Sequence, residues 1–138
     1  MTTRSENLLS IRPTIASAKI YDAMHAEELF QNKTLRPIVK MQHDLFIAVF
    51  NNYITKRKNM FYDLSLQKQL AYIENTIQKD MKFRNSVKGM IIGQFTVGEY
   101  ELYIQNSSAL NKRIMNIVKE RLINSVQLFV SPEILKAV

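Results

Sequence analysis

Apolar residues recur every three or four positions along most of the chain, which is the spacing of one face of an α-helix. The clearest case spans residues 66–77, where the apolar positions step by four, three and four: Leu66, Leu70, Ile73 and Ile77. Ser65 comes directly before this segment and can cap the first turn of a helix. The pattern predicts a helix whose apolar face packs against a neighbouring helix.

Two helices are predicted before this segment. The stretch from Ala23 to Lys33 carries acidic residues early and a lysine at its end, as the helix dipole favours. Thr34 can cap the next helix, and Pro37 falls in its first turn, where a missing N–H costs nothing. Residues 45–50 are apolar nearly all the way round, so we expect this to be the central helix of the fold.

The second half of the chain leaves two boundaries open. Apolar positions keep a helical spacing through residues 83–91, so either two helices or one kinked helix fits residues 66–95. Thr96 and Glu99 have the form of a capping box, which predicts the start of a helix. From Tyr100 to Phe129 one apolar face continues for about eight turns, roughly 45 Å.

That last segment can be one long helix, or it can break at residues 106–108. The polar side chains of Asn106, Ser107 and Ser108 compete with the helix for backbone hydrogen bonds. A folded-back pair would bury the apolar stripe within one chain, whereas a single long helix would leave it exposed. Ser131 and Pro132 end the segment, and a short tail is expected after them.

Few turn-forming residues interrupt these patterns, since the chain has only 3 Gly and 3 Pro. Residues 1–23 contain Pro13 and no steady periodicity, and we interpret them as an irregular arm. Residues 24–138 then form a single helical domain. The sequence predicts an all-α fold, a helical bundle of about four to six helices with a long C-terminal helix and an irregular N-terminal arm.

The amino-acid composition indicates the cellular compartment in which the protein is expected. The chain has no cysteine, which is typical of a reducing cytoplasm and excludes thiolate metal sites and a cysteine nucleophile. Its first residues lack the apolar stretch of a secretory signal. The longest apolar run, residues 45–50, is far shorter than the ~20 residues of a membrane span. We therefore expect a cytoplasmic protein with no membrane association.

No catalytic, cofactor-binding or metal-binding residues stand out. The two histidines, His25 and His43, have no Glu-x-x-His partner of the kind that binds metals in helical bundles. No serine lies in a Gly-x-Ser-x-Gly turn, and the glycines cannot form a phosphate-binding loop. Gly89 and Gly93, four apart, are interpreted as a place where another helix approaches closely. The pattern favours a non-enzymatic protein without a cofactor.

Positive charge is the main functional signal. The formal net charge is +7, and residues 56–88 hold eight Lys or Arg against three acidic residues. Nucleic-acid binding needs cations for phosphates and aromatic rings for stacking, whereas basic runs more often form the solvated face of a helix. The candidate polyanion-binding residues, with Tyr53, Phe61, Tyr62 and Phe83 interleaved, are Lys56, Arg57, Lys58, Lys79, Lys82, Arg84, Lys88, Lys112 and Arg113.

Five blocks of the chain resemble a family of short all-helical bacterial proteins, and together they cover most of its length: Phe30–Pro37, Ala71–Asn75, Lys82–Ser86, Gly89–Phe95 and Tyr103–Arg113. Some members of that family carry the label glyoxalase, which would imply lactoylglutathione chemistry on a metal held by histidines and glutamates from β-strands. This chain departs from that pattern, with two histidines and helical spacing in place of strands. No residue is carried over from the label.

The leading functional hypothesis is a non-enzymatic interaction or scaffold protein that self-associates. Several apolar faces need cover, and a homodimer through the long C-terminal helix would supply it. Its predicted interface residues are Ile114, Ile117 and Val118, and the N-terminal arm could lie across the partner. A partner protein, a basic nucleic-acid-associated role and, more distantly, a metal-dependent lyase are the alternatives.

Overall fold

The structure, a computed structural model, describes residues 3–131, and helices dominate this range. It contains eight α-helical segments and no strand, which confirms the all-α prediction with slightly more segments than expected. They are α1 (Arg4–Ile11), α2 (Ala26–Phe30), α3 (Arg36–Met41), α4 (His43–Lys56), α5 (Leu66–Lys79), α6 (Met81–Ile92), α7 (Val97–Ile104) and α8 (Ser107–Asn124). The tail predicted after Ser131 lies outside the described residues.

The N-terminal arm is only partly irregular. Residues 4–11 form α1, which begins with a capping box between Thr3 and Glu6. The rest of the arm, residues 12–23, is non-helical, and Ala23 adopts a positive φ of 70° within it. The prediction of a wholly irregular arm was therefore wrong over α1, because a local cap compensates for weak apolar periodicity there.

Residues 26–41 form one continuous helical stretch with a wide turn in its middle. A π turn, Gln31–Leu35, joins α2 to α3. Pro37 has no N–H to offer the preceding turn, and the π turn lies directly before it. Thr34 is therefore not a helix cap as predicted. It is buried inside the π turn, and its hydroxyl donates to the Glu99 carboxylate at 3.0 Å.

The central helix is α8, not the one that contains residues 45–50. It packs against α3, α4, α5, α6, α7 and the π turn. On α4 only a stripe of three residues, Phe46, Phe50 and Ile54, is fully buried, while Leu45 is exposed. The nearly continuous apolar run of residues 45–50 does not identify the central helix, because only one face of α4 packs into the core.

The chain has a break between helices at each of the two boundaries that the sequence left open. Asp80 separates α5 from α6 and caps α6 by accepting the Phe83 N–H at 3.0 Å. Thr96 and Glu99 form the predicted capping box at the start of α7. The chain then turns at Asn106 between α7 and α8, and this turn divides the predicted apolar stripe: its residues from Leu110 onward lie in the core, whereas Tyr100 and Ile104 on α7 are exposed.

This turn overturns the predicted dimer interface. Ile114 and Val118 are fully buried in the chain's own core, and Ile117 is 6% exposed. These three side chains cover neighbouring helices rather than a second copy. The close helix approach predicted at the glycines is also absent at Gly89, where an added Cβ would meet no atom within 4 Å.

Candidate functional site

The nine predicted polyanion-binding residues lie in more than one place. The ion pair from Arg57 to Asp80, 3.1 Å between Nη2 and Oδ2, joins the end of α4 to the α5–α6 junction. Each member of this pair has a lysine beside it in the chain, and Lys82 follows in the first turn of α6, so basic residues from three helix ends contribute to this surface. We call this surface the basic end, and it consists of Lys56, Arg57, Lys58, Lys79 and Lys82.

A cleft of about 290 Å³ lies at the basic end, between α4 and α6. Lys56, Arg57 and Lys82 line it together with the aromatic ring of Tyr53. Arg57 lies over that ring, with its guanidinium carbon 3.4 Å from the ring centre. The cleft therefore has a cationic rim and a floor that a guanidinium already covers.

Asp80 is the anion that organises this region. It accepts hydrogen bonds from the Phe83 N–H and from the Tyr53 hydroxyl at 2.7 Å. These hydrogen bonds, with the charge of Arg57, lower the pKa of Asp80 below its ordinary value. The ionised carboxylate pairs with Arg57, and the four lysines of the basic end have no ion pair with any residue in 3–131.

Two of the remaining predicted residues are not part of this surface. Arg84 donates to the carbonyl of Ile77 at 2.6 Å, and it therefore satisfies a free carbonyl near the end of α5. Lys88 is half-buried farther along α6. Neither lines the cleft.

The interleaved aromatic residues belong to the core, as their helical spacing indicated. Phe61 is fully buried and Phe83 is 7% exposed, and both pack edge-on against Phe50. Tyr53 is covered by Arg57. None of these three rings is free to stack on a nucleic-acid base, and Tyr62, the fourth, does not line the cleft, so the cleft at the basic end offers charge without stacking.

The last two predicted residues, Lys112 and Arg113, line a different feature. A groove runs between the helical stretch of residues 26–41 and α8, and we call it the polar groove. It comprises cavities of about 700, 490 and 400 Å³, and all three share Arg36 and Ile117 as lining residues. Each of these cavities is larger than the cleft at the basic end.

Polar cross-links hold the two walls of the polar groove at one end. Arg113 donates to the amide oxygen of Gln31 at 3.0 Å and lies 3.6 Å from the carboxylate of Glu27. Asn106, at the break before α8, donates to the same carboxylate at 2.7 Å. The position of α8 against the π turn is therefore fixed by charge-assisted hydrogen bonds.

The interior of the groove carries both charges and neutral amides. Cations come from Arg36, Lys112 and Arg121, and acidic side chains from Glu28 and Glu120. Asparagine side chains and the Ser125 hydroxyl complete the wall around one buried apolar residue, Ile117. Such a lining suits a polar ligand that offers hydrogen bonds along its length.

Sequence reasoning missed the polar groove because its two walls are separated by roughly 80 residues of chain. A signal was nevertheless present on each wall. The tripeptide Gln31-Asn32-Lys33 places polar residues inside a helical stretch, and Asn106-Ser107-Ser108 does the same before α8. Both polar runs lie beside the groove.

A buried ion pair anchors the arm next to the groove. Arg12 makes two hydrogen bonds to Glu99, at 2.5 and 2.6 Å, and their side chains are 6% and 14% exposed. Burial alone would raise the pKa of Glu99, but the hydrogen bonds from Arg12, the Thr96 N–H and Thr34 lower it below its ordinary value. This pair serves the fold, since it lines none of the cavities described above.

The chain matches no protein-family model, no curated protein and no solved structure. Its function must therefore be argued from its own geometry. Within residues 3–131, no group of three or more His, Asp or Glu side chains is placed to hold a metal ion. No helix of that range has the length and apolar character needed to cross a membrane.

Proposed function

We propose that this chain is a non-enzymatic binding protein of the cytoplasm, and that the polar groove binds an extended polar segment of another protein. The observation that carries the proposal is the continuity of the groove. Its three cavities share two lining residues, Arg36 and Ile117, so they adjoin along α8 and one extended ligand can span them. The absence of cysteine supports the cytoplasmic location.

The lining favours a peptide over a small apolar molecule. Amide and hydroxyl side chains from both walls can pair with the N–H and C=O groups of an extended backbone. Cations and carboxylates in the same groove suit a segment with side chains of both signs. The groove is also too open and polar to extract a small apolar compound from water.

A blocked groove tests the proposal. Asn116 lines the groove on an exposed position of α8, and Asn116→Trp would fill part of it. Asn75→Trp makes the same change at an exposed position of α5 that lines no described cavity, and it is the matched control.

Random peptides displayed on phage are the probe, and they are selected on the wild-type protein. We expect the enriched peptides to bind the wild type and Asn75→Trp alike, and to lose binding to Asn116→Trp. Failure to enrich any peptide, or equal binding to both variants, would overturn the proposal.

Self-association remains part of the proposed function, on a surface other than the one first predicted. Three exposed apolar side chains of α7, Val97, Tyr100 and Ile104, have the spacing of one helix face. Exposed apolar patches of this kind mark protein contacts. We propose this face of α7 as the contact of a homodimer.

A second candidate function is binding of nucleic-acid phosphates at the basic end. The observation in its favour is the set of four lysines at the basic end, none of which forms an ion pair within residues 3–131. Because Phe61 and Phe83 are buried, this binding would rest on charge and would be indifferent to sequence.

A gel-shift series at rising salt tests this candidate with a duplex RNA and a duplex DNA. The double variant Lys79→Gln, Lys82→Gln removes two cations of the basic end. Lys33→Gln, Lys68→Gln removes the same charge from exposed positions elsewhere and is its control. We expect only the first pair to flatten the salt dependence, by about two units of slope in log affinity against log salt. Equal effects of both pairs would mean that net charge alone attracts the nucleic acid.

A further inference from the structure

One side chain, Arg36, lies where the three cavities of the polar groove meet. It lines each of them, and only Ile117 shares that property among the described residues. Ile117 is almost completely buried at the base, whereas Arg36 is half-buried. A ligand in any part of the groove therefore passes near this guanidinium.

Hydrogen bonds orient Arg36 before any ligand binds. Its Nε donates to the Oδ1 atom of Asn32 at 3.2 Å. The amide nitrogen of Asn32 in turn donates to the carbonyl of Lys19, in the arm, at 3.0 Å. This chain of two bonds engages the Nε side of the guanidinium and leaves its two terminal nitrogens without a hydrogen-bond partner in residues 3–131.

A second arginine shares the site. Arg121, on α8, lines two of the three cavities together with Arg36, those of about 490 and 400 Å³. Neither arginine forms an ion pair with a described residue, although Glu28 lines the larger of these two cavities and Glu120 the smaller. Each cavity is thus lined by two guanidinium groups and one carboxylate, an excess of positive charge that favours an anionic group of a ligand.

We propose that Arg36, assisted by Arg121, binds an oxyanion, a carboxylate or phosphate group, carried by the ligand of the polar groove. The planar guanidinium presents two parallel N–H donors that match two oxygens of such a group, and lysine cannot reproduce this geometry. The inference rests on the proposed peptide-binding function, because it names the group by which the bound segment is held.

The π turn gives the arrangement its location. Asn32 lies within the π turn, and Arg36 is the first residue after that turn. The two residues are four positions apart, so their side chains meet on one side of the helix. The same side faces α8, where Arg121 lies. The π turn therefore lies beside Arg36, whose guanidinium is already oriented by its hydrogen bond to Asn32. π turns are rare and often occur at functional sites.

The test uses inorganic phosphate and acetate as probes, each titrated into the full chain at constant ionic strength set with sodium chloride. The readout is the Nε–H signal of Arg36 in a proton–nitrogen correlation spectrum, assigned by its loss in Arg36→Lys. We expect a saturable shift with at least one of the two anions. Saturation by phosphate alone identifies a phosphate group, and equal saturation by both identifies general oxyanion binding.

Conservative variants provide a second measurement. Affinity for the bound anion, followed by calorimetry, should fall about tenfold or more in Arg36→Lys and in Arg121→Lys. Arg57→Lys makes the same change at the basic end and should leave the affinity unchanged. Shifts no larger than those caused by chloride, or a loss confined to Arg57→Lys, would overturn the inference.

The two proposals fail in different ways. If phage-selected peptides bind the groove but keep their affinity in Arg36→Lys, the oxyanion site is wrong and the peptide-binding function stands. If anions bind at Arg36 but no peptide is ever selected, the groove holds a small anion and the peptide-binding function is wrong.

Discussion

Charge burial is concentrated in very few side chains. Arg12 and Glu99 form a bidentate pair that is almost removed from solvent, and every oxygen of that carboxylate accepts a hydrogen bond. A buried pair of this kind adds little stability compared with apolar residues, but removing one partner leaves the other charge unpaired at high cost. Single substitutions at either residue should therefore be severe.

The first prediction concerns Glu99 and pH. Its pKa is lowered in the folded chain, so the ionised carboxylate stabilises the fold above the ordinary value of 4.5, and this contribution disappears as the pH falls through the folded-state pKa. Glu99→Gln should lower the free energy of unfolding by about 3 kcal/mol at neutral pH.

Urea denaturation from neutral to acidic pH is the measurement. The difference in the free energy of unfolding between the wild type and Glu99→Gln should become smaller as the pH falls below 4.5. Asp80, whose pKa is also lowered, is present in both proteins and cancels in the difference. A difference in the free energy of unfolding that stays constant through this pH range would contradict the prediction, because it would show that ionisation of Glu99 does not stabilise the fold.

The second prediction separates two residues of α5. The sequence pattern placed Leu70 and Ile73 on one buried face, but Ile73 is fully buried and Leu70 is only half-buried. Ile73→Ala should lower the free energy of unfolding by about 2–5 kcal/mol, because a buried aliphatic truncation leaves a cavity. Leu70→Ala should cost distinctly less in the same urea titration, and a larger loss at Leu70 would reverse this assignment.

Helix boundaries divide into those with a local signal and those without one. The capping box of Thr96 and Glu99 was read correctly from the sequence, and Thr3 with Glu6 has the same form and starts α1. That helix was not predicted, because residues 4–11 lack the apolar periodicity that indicates most of the other helices. The break at Asn106 could be listed as an alternative but not chosen, because packing against α3 to α6 decides it.

The π turn could not be predicted by any local rule used on the sequence. Thr34 has the chemistry of a cap, and Pro37 suits the start of a helix, so a boundary was the reasonable expectation. In the folded chain the hydroxyl of Thr34 is instead used by Glu99, 65 residues away. Tertiary contact therefore decides the geometry, and with it the position of Arg36 and the polar groove.

The third prediction concerns this π turn. Deletion of Lys33, an exposed residue within it, would remove the extra residue of the wide turn and leave a regular α-helical turn, with the residues before and after it in nearly the same orientation. Phe30 should then stay in the core, but Thr34 would lose its place against Glu99, so we expect the free energy of unfolding to fall by about 1–3 kcal/mol through loss of that hydrogen bond. Lys33→Ala is the control and should change it by less than about 0.5 kcal/mol in the same denaturation assay.

At the scale of the whole molecule, the largest apolar helix faces of the described residues are buried by packing against other helices of the same chain. The stripe on α8 that argued for a dimer is covered by the helices around it. Many of the large apolar side chains that remain exposed belong to α1, the arm and α7, including Ile11, Tyr21, Val97 and Ile104. The exposed apolar surface that favours self-association thus lies on α7 and the arm rather than on α8.

The fourth prediction is the solution mass. Light scattering at micromolar concentration should give about twice the chain mass of 16.1 kDa. Ile104→Lys places a charge on the α7 face and should return the mass to that of one chain, whereas Leu66→Lys, at an equally exposed position of α5, should not. A wild-type mass of one chain would eliminate the homodimer.

The attachment of the arm also bears on the order of events during folding. Hydrogen bonds from Arg4 and Arg12 reach carbonyls of residues 93–95 across 82 to 91 positions of sequence. Contacts so distant form only after the intervening chain has been organised, because the loop-closure entropy must be lost first. The arm is thus synthesised well before the segment on which it docks, and it docks late. During that interval an arm from another chain, with the same two arginines, competes for the same carbonyls, which makes exchange of arms between copies a natural route of misassembly at high concentration.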